Sequence, residues 1–564
     1  MIGRRFKVNL SNATWSQSDI PADWVLAYAG GVGLALKAFL EHFEATGEGS
    51  VVMAPGLFAG TNAPAGHWAS MVFRDPESGR VSSSYFGGHW GSGLRFSGAS
   101  LLEISGRAPS PTVLVLEDGR VRFVAASGLK GLSPKDLCQR LEELLGPGYL
   151  VAGIGPAAEM AIPIASLIFD GTYQRQSAGA GAAFGQIGLK AVAVKGNEKI
   201  VPAIPTAFFS EARALRNRFI QERFPYRELA SYGTAWFLKE LHRQAMLPVR
   251  NFTTSILPGW EMLSGDYISD SVKRRPIACF GCPVACRWTT PVNGAWHEGP
   301  QIEEVVALGT LCGITDPKVL LQIKAHCDRL AIDPLAFGAR LAAAMEKGDG
   351  RPPLTFGDGE TVVKVLDQER DPWAALVNLG VLSVGTGPHP ERPLFMVTDP
   401  RADDCLALSR STWPLDAPHV LGSSAFAGRL PLFEGEGNLD AARSVKLYQD
   451  FYLGLQSVGF CPWASLAFTA SGLDPLVKAA IGDGLPDRAA LHFGENVFNL
   501  AASAGLVSES DTPPLELFRG LAEEPIPDGP RRGKRLDIAK SWPDYRALRS
   551  SAMAGSRPSR EGAC

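Results

Sequence analysis

Three bulk properties of the sequence limit what the protein can be. At about 150 residues per domain, the 564-residue chain predicts two to four domains, and its hydrophobic content of 45% is that of a folded protein of enzyme size. The 55 basic and 58 acidic residues leave a formal net charge of −3, which provides no basic surface for nucleic acid or for an anionic membrane.

Cysteine usage and the N-terminus indicate a reducing compartment. The cysteines number nine, an odd count that suits metal ligation better than a set of disulfides. The first residues lack the apolar segment of a secretory signal, so we expect a cytoplasmic protein. The longest apolar stretch, residues 149–169, contains Glu159 together with prolines and glycines, which predicts a buried α/β segment rather than a membrane span.

The first part of the chain carries most of the strand-like runs. They lie at residues 50–53, 69–73, 101–104, 112–116, 121–124 and 190–195, with glycine-rich turns between them. Helices are predicted over residues 33–43 and 133–145, where apolar residues recur every three or four positions. We therefore expect a β-rich first domain in residues 1–205.

From about residue 206 the apolar pattern becomes helical. The clearest segments are residues 211–222, 228–244, 317–330, 336–347 and 362–379. Stretches rich in glycine and proline at residues 348–353 and 385–393 predict breaks. The predicted fold class is α+β, with the β-rich domain followed by two mainly α-helical domains over residues 206–390 and 391–564.

Three of the cysteines lie within eight residues, in the segment Cys279-Phe-Gly-Cys282-Pro-Val-Ala-Cys286. Thiolates at this spacing can turn onto one centre, and the glycine and proline between them suit a tight loop. We expect an iron–sulfur cluster; the alternatives are a zinc site, which usually has a second close pair of ligands, and a structural or disulfide role. Spacing leaves the fourth ligand open among five cysteines: Cys138, Cys312, Cys327, Cys405 and Cys461.

Three glycine-rich segments occur in the first domain. The first contains Gly30, Gly31 and Gly33 and opens a predicted helix, whose N–H groups could bind a cofactor phosphate. It lacks the full G-x-G-x-x-G pattern, so a tight turn is the simpler interpretation for this segment alone. A second segment with Gly87 and Gly88, and a third at residues 178–183, allow close backbone approach to a flat ligand. Together the three segments predict a large cofactor.

These motifs occur in an order that resembles one known family. Residues 30–37, 54–64, 97–98, 154–159 and 189–195 resemble successive motifs of the tungsten- and molybdenum-dependent aldehyde:ferredoxin oxidoreductases, and residues 279–286, 299–300, 307–316 and 327–333 continue the series. The resemblance covers nearly the whole chain. It implies that the β-rich domain binds a bis-pterin carrying tungsten or molybdenum, with a bridging magnesium ion, beside one [4Fe–4S] cluster.

The resemblance also implies roles for individual cysteines. Cys461 stands where the family places its fourth cluster ligand, and it completes the set begun by the motif at residues 279–286. Cys312 and Cys327 match positions that are not cluster ligands, so we expect them to be buried core residues.

Four further residues are candidates for the pterin and the catalytic centre by the same resemblance. Asp328 and Asp333 match acidic residues that bind pterin nitrogens, with helix capping as the alternative. Glu303 and His419 match a carboxylate and an imidazole near the metal, where either could relay protons during aldehyde oxidation. For His419 the alternative is an ordinary surface histidine.

Several positions differ from the family pattern. His67 stands where the family has an arginine that links cluster and pterin, Ser177 replaces a second arginine, and Tyr85 replaces an asparagine near the magnesium. Gln456 replaces a pterin-binding carboxylate, and the family's E-Y-E segment is Gln-Ile-Glu at residues 301–303. An arginine holds phosphate through two N–H groups and a permanent charge, which the smaller side chains do not reproduce. We expect His67 to bridge cluster and cofactor, and Gln456 to bind pterin through its amide.

The function that the resemblance implies is a redox enzyme that oxidises an aldehyde to a carboxylic acid, or runs the reverse reaction. It would exchange electrons with a ferredoxin or an iron–sulfur subunit, as a homo- or hetero-oligomer. One alternative is a ring-reducing relative acting on an aromatic acyl thioester. Another is a cofactor-poor subunit that keeps the fold and cluster for electron transfer or scaffolding.

Overall fold

The structure, a computed structural model, describes residues 3–171, 173–174, 179–222, 225–382, 395–415, 439–469, 471–482, 484–508 and 510–556. Two six-stranded sheets occupy the first 195 residues and helices dominate the remainder, so the predicted α+β class is confirmed. The domain boundaries near residues 205 and 390 stay predictions, and residue 390 lies outside the described residues.

The first sheet contains three of the six predicted strands, which are those at residues 50–53, 69–73 and 101–104. Its strands are β1 (Arg4–Asn9), β2 (Thr14–Asp19), β3 (Val51–Pro55), β4 (Ala69–Arg74), β5 (Val81–Phe86) and β6 (Ala99–Ser105), in the spatial order β2-β1-β6-β3-β4-β5. Only β1 and β6 are parallel neighbours in this sheet of described residues. The associated helices are α1 (Ala22–Tyr28), α2 (Gly31–Thr46) and α3 (Trp90–Phe96). Because α2 packs against β3 and β4, β3 is buried at every residue.

The second sheet completes the β-rich domain. It contains β7 (Thr112–Glu117), β8 (Arg120–Ala125), β9 (Leu150–Ile154), β10 (Leu167–Phe169), β11 (Tyr173–Gln174) and β12 (Leu189–Lys195), in the order β11-β10-β9-β12-β7-β8. Its helices are α4 (Pro134–Leu145), α5 (Pro156–Glu159) and α6 (Ala180–Gln186). The apolar stretch at residues 149–169 forms β9, α5 and β10, which confirms the expected buried α/β segment.

The middle of the chain is helical around one small sheet. Its helices are α7 (Pro205–Gln221), α8 (Tyr226–Tyr232), α9 (Leu238–Arg243), α10 (Gly265–Ser271), α11 (Ile302–Val305), α12 (Pro317–Leu330), α13 (Pro334–Lys347), α14 (Gly359–Gln368) and α15 (Pro372–Asn378). The three-stranded antiparallel sheet of β13 (Arg275–Ile277), β14 (Arg287–Val292) and β15 (Ala295–Glu298) was not predicted.

Two of the predicted long helices were wrong. Gly233 ends α8 with a φ of +68°, and a 3₁₀ turn then leads into α9, so residues 228–244 are not one helix. Residues 362–379 divide at Pro372, whose ring suits the first turn of α15 and whose predecessor Asp371 caps that helix.

The C-terminal part places one buried helix against the first domain. Its helices are α16 (Asp404–Ser411), α17 (Ala441–Val458), α18 (Asp474–Ile481), α19 (Ala489–Ser503) and α20 (Trp542–Ser556). α17 packs against α2 as well as against α19 and α20, so its C-terminal end lies beside the first sheet. Within the described ranges, none of the helices combines the length and the apolar character that crossing a bilayer requires.

Candidate metal centre

The three clustered cysteines lie in the loop that joins β13 to β14. Antiparallel pairing of Ile277 with Arg287 closes the base of this loop, so that one hairpin holds Cys279, Cys282 and Cys286. All three side chains are half-buried, and the loop reaches the protein surface. The unpredicted small sheet is therefore the element that positions the predicted metal ligands.

Cys461 approaches the same loop from the other end of the chain. Gly459 ends α17 with a φ of +80°, which turns the chain toward the loop at residues 56–68 of the first domain. The N–H of Cys461 donates to the carbonyl of Ala65 over 2.8 Å, and the carbonyl of Gly459 accepts from the N–H of Trp68 over 3.0 Å. Backbone contacts between the first and last parts of the chain thus fix the position of this cysteine.

All four predicted metal ligands line one cavity. The residues around it are Ala65, His67, Trp68, Cys279, Phe280, Cys282, Ala285, Cys286, Arg287, Gln301, Cys461 and Trp463. Among the described residues, no three His, Cys, Asp or Glu side chains converge tightly enough to hold a single metal ion. A [4Fe–4S] cluster takes four thiolates, each through a different iron, and the four cysteines around this cavity match that number.

The surroundings of Cys282 and Cys286 favour the neutral thiol unless a cation is present. Burial and, to a smaller extent, the neighbouring Cys279 raise the pKa of Cys282 to about 11. Burial and three neighbouring cysteines raise the pKa of Cys286 well above its usual range. Because thiolates rather than thiols bind metals, the positive charge of bound iron is what would stabilise the deprotonated set.

A buried ion pair forms one wall of the cavity. The guanidinium of Arg287 donates to both carboxylate oxygens of Glu298, over 2.6 and 2.8 Å, and both side chains are buried. A further N–H of Arg287, on Nη1, lies 3.9 Å from Sγ of Cys279. Hydrogen bonds and charge near cluster sulfurs tune a cluster's reduction potential, so this pair contributes to the electrostatics of the site.

His67 lies against the cysteine loop and is almost completely buried, with an exposed fraction of 1%. Its Nδ1 accepts from the N–H of Gly60 over 3.3 Å, and the hydroxyl of Ser92 lies at the same distance. Burial lowers the pKa of His67 to about 3, against a smaller opposing effect of the Ala63 carbonyl. The ring is therefore neutral, and the contact at Nδ1 leaves its proton on Nε2.

The cavity also borders the helix that carries Glu303. Gln301, which lines the cavity, precedes α11 and forms a capping box with Glu304. Glu303 is the second residue of this helix and is 1% exposed. The predicted catalytic carboxylate is thus buried two residues along the chain from the wall of the cysteine cavity.

Comparisons with known proteins identify the family. Models of the aldehyde ferredoxin oxidoreductase family match the chain twice, with the N-terminal domain over residues 5–196 and with domains 2 and 3 over residues 211–370. The chain belongs to the aldehyde ferredoxin oxidoreductase family. It is therefore an oxidoreductase, of a family whose enzymes bind a tungsten bis-pterin and a [4Fe–4S] cluster.

Relatives matched over nearly their whole length agree with the family assignment, and one solved structure shares the fold. The tungsten-containing aldehyde ferredoxin oxidoreductase of Pyrococcus furiosus is 26% identical over 593 aligned positions, covering 99% of this chain and 97% of the relative. The corresponding protein of Thermococcus kodakarensis is 25% identical with the same coverage. In fold, the chain is similar to the active-site complex BamBC of benzoyl coenzyme A reductase bound to 1,5-dienoyl-CoA, with a TM-score of 0.75, 18% identity, and 97% and 94% of the two chains covered.

The family's acidic pterin positions are both near helix ends in this chain. Asp333 accepts from the N–H groups of Leu335 and Ala336 and so caps α13, which was the alternative considered for it. Asp328 accepts two bonds from Lys324, over 2.9 and 3.0 Å, and borders a separate cavity of about 290 Å³. Their roles toward a pterin stay predictions.

The family's glycine positions make close protein contacts in this chain. A Cβ on Gly30 would stand 2.8 Å from the backbone nitrogen of Leu57, and one on Gly33 would stand 2.7 Å from Cβ of Tyr28. Gly87 is packed in the same way against the ring of Trp68. The carbonyl of Gly88 accepts from the N–H of Phe280 over 3.1 Å, which ties this glycine segment to the cysteine loop.

Of the other positions that differ from the family pattern, the structure describes Tyr85 and Gln456. The hydroxyl of Tyr85 donates to the carbonyls of Leu455 and Phe460, over 3.1 and 2.7 Å, so this side chain joins the first sheet to the end of α17. Gln456 is buried in the same helix. His419 and Ser177 lie outside the described residues.

Sequence reasoning missed two features of the cavity wall. Trp463 follows Cys461 by two residues, and Arg287 directly follows Cys286, but neither residue type signals a metal site by itself. The feature of the sequence that could have indicated both residues is their closeness to the predicted ligands. Glu298, the ion-pair partner of Arg287, could be identified only from the β14–β15 pairing, which was not predicted from the sequence.

Proposed function

We propose that this protein oxidises an aldehyde to a carboxylic acid, or runs the reverse reaction, with one [4Fe–4S] cluster and a tungsten or molybdenum bis-pterin. Cys279, Cys282, Cys286 and Cys461 would hold the cluster. The pterin side would be held by His67, Gly87, Gly88, Asp328, Asp333 and Gln456, together with the segment that contains Gly30, Gly31 and Gly33. A magnesium ion would complete the cofactor set.

The observation that supports this proposal is the meeting of two distant segments in one cavity. The loop at residues 279–286 and the turn at Cys461 come together against His67 of the β-rich domain. The four thiols supply a complete ligand set for a cluster. His67 belongs to the β-rich domain and faces the cysteine loop, which supports the proposal that it links cluster and pterin.

The overall reaction defines what the side chains must do. An aldehyde and water give a carboxylic acid, two protons and two electrons. The bound cofactors would supply the redox chemistry, which is acceptance of the electron pair and its release in single steps. Glu303 is a buried carboxylate suited to accepting a proton from the reacting water or acid, and we propose His419 for the second proton.

Electrons would leave through the surface of the cysteine loop. Gly281 is exposed and its neighbours in the loop are half-buried, so a cluster held there would lie near solvent. We propose a ferredoxin or an iron–sulfur subunit as the electron partner, in a cytoplasmic homo- or hetero-oligomer. The ferredoxin oxidoreductase activity named for the relatives supports this choice.

Dye-coupled activity tests the proposal. Anaerobically purified protein is expected to reduce a viologen dye when given short-chain or aromatic aldehydes, and Glu303→Gln is expected to lose at least about 100-fold in kcat, which is the usual scale for a proton-transfer residue. Glu44→Gln, at an exposed position on α2, is the matched control and should retain activity. Reduction of an aromatic acyl thioester without aldehyde turnover would support the ring-reductase alternative instead.

A further inference from the structure

Two buried N–H groups without a protein partner border the cysteine cavity. Trp463 is 5% exposed, and its Nε1 has no hydrogen-bond acceptor among the described residues. Its ring packs against Phe237, with ring centroids 4.8 Å apart, which fixes the indole in place. Trp463 lines the cavity two residues after Cys461, so the indole lies beside the candidate ligands.

The second group belongs to His67, which lines the same cavity. The N–H of Gly60 donates to Nδ1, so the neutral ring carries its proton on Nε2. Nε2 has no hydrogen-bond partner among the described residues. A Cβ on Gly281 would stand 2.7 Å from Nε2, which shows that this edge of the ring faces the cysteine loop.

Buried donors without acceptors are costly. Leaving one unsatisfied is destabilising, and native proteins contain few of them. Two in the wall of one cavity indicate an occupant that accepts hydrogen bonds. Arg287 also lines the cavity, but its guanidinium is a donor that binds Glu298, so it offers neither group an acceptor.

We propose that Nε1–H of Trp463 and Nε2–H of His67 donate hydrogen bonds to the sulfur atoms of the cluster and raise its reduction potential. Adding one electron to the cluster increases the negative charge on its sulfurs, so both N–H groups bind the reduced form more strongly than the oxidised form. This inference rests on the cluster in the proposed function and does not depend on the pterin or on the substrate.

Redox titration of the cluster by EPR tests the inference. Trp463→Phe keeps an aromatic ring and removes the N–H. It is expected to lower the equilibrium constant for one-electron reduction about tenfold, which is a fall of about 59 mV in reduction potential. His67→Leu should shift the potential in the same direction, and His67→Gln, which retains an N–H donor, should restore much of it. Trp542→Phe is the matched control, because its Nε1 donates to the Asp511 carbonyl in another part of the fold, and it should leave the potential unchanged.

The outcomes separate this inference from the proposed function. If wild-type protein contains no iron and gives no cluster signal, the cluster in the proposed function is ruled out, and this inference falls with it. A Trp463→Phe protein with full iron content and the wild-type potential overturns the inference while leaving the cluster intact. If that variant does not fold, wild-type protein labelled with ¹⁵N in the tryptophan indoles gives the answer: pulsed EPR of the reduced cluster should show an indole ¹⁵N coupling, and its absence overturns the role of Trp463.

Discussion

Gly31 lies directly against the backbone of Gln456. A Cβ on Gly31 would stand 1.9 Å from the carbonyl oxygen of Gln456, closer than any two such atoms can approach. The contact joins the start of α2 in the β-rich domain to the end of α17, five residues before Cys461. The glycine motif of the first domain therefore helps to position Cys461, the fourth cysteine of the candidate metal centre.

Gly31→Ala is expected to destabilise the protein strongly and to weaken retention of iron. The new methyl group must displace the segment at residues 456–461, and Gly31 has a φ of +45°, so overpacking and backbone strain together cost about 3 kcal/mol or more. Thermal unfolding and iron content measure the effect. Gly47→Ala is the control, because Gly47 has a φ of +72° but no atom near a new Cβ, and it should lose only about 1 kcal/mol.

Cys461→Ser is expected to remove or damage the cluster. A serine hydroxyl is a poor substitute for a thiolate ligand, so the visible absorbance and iron content should fall while the fold is retained. Cys405→Ser is the control, since Cys405 is half-buried and does not line the cavity. An unchanged cluster spectrum in Cys461→Ser would remove this residue from the ligand set.

Gly281→Ala is expected to make the cluster labile to air. Gly281 has a φ of +62°, and a Cβ there would stand 2.7 Å from Nε2 of His67, so the loop would have to move away from the β-rich domain. The rate at which the cluster absorbance bleaches in air should rise severalfold. Gly79→Ala is the control, because Gly79 has a similar φ of +68° and open space around it. If Gly79→Ala bleaches as fast as Gly281→Ala, the explanation is contradicted.

Glu304 is expected to make the protein less stable as the pH rises. Burial raises the pKa of Glu304 to about 8, and the nearby Asp328 adds to the effect of burial while Lys324 opposes it. The unfolded value is about 4.3, so between about pH 5 and pH 8 the folded state binds more protons than the unfolded state. Stability due to this group is therefore present below that window and is lost as the pH rises through it.

Glu304→Gln tests this dependence. The amide cannot ionise and its oxygen can still accept from the N–H of Gln301, so the variant should lose less stability than the wild type between pH 5 and pH 8.5. Urea unfolding midpoints at several pH values measure the difference. The exposed Glu44→Gln should follow the wild-type profile, and a parallel profile for Glu304→Gln would contradict the expected titration.

The sequence allowed a good prediction of local features of the first domain. Regular alternation and apolar runs indicated β3, β4, β6, β7, β8 and β12, but β5 has the serine-rich sequence Val-Ser-Ser-Ser-Tyr-Phe. Its serines at residues 82–84 are buried in the sheet, where a pattern based on hydrophobicity does not reveal them. The small sheet beside the cysteines was missed for a related reason, because Pro276 and Pro291 lie within its strands and weaken the strand pattern.

The candidate site was predictable only where its ligands are close in sequence. Spacing indicated a metal loop at residues 279–286, but Cys461 meets that loop through tertiary contacts, and only the family resemblance identified it. His67 was noticed as a departure from the family pattern. Its fixed proton and the buried N–H of Trp463 depend on packing across three parts of the chain, which no local pattern encodes.

The metal content of anaerobically purified protein tests the central claim most directly. Elemental analysis is expected to give about four irons and one tungsten or molybdenum per chain, as one cluster and one bis-pterin centre require. Iron without either heavy metal would contradict the proposed aldehyde chemistry and would indicate an electron-transfer or scaffolding subunit.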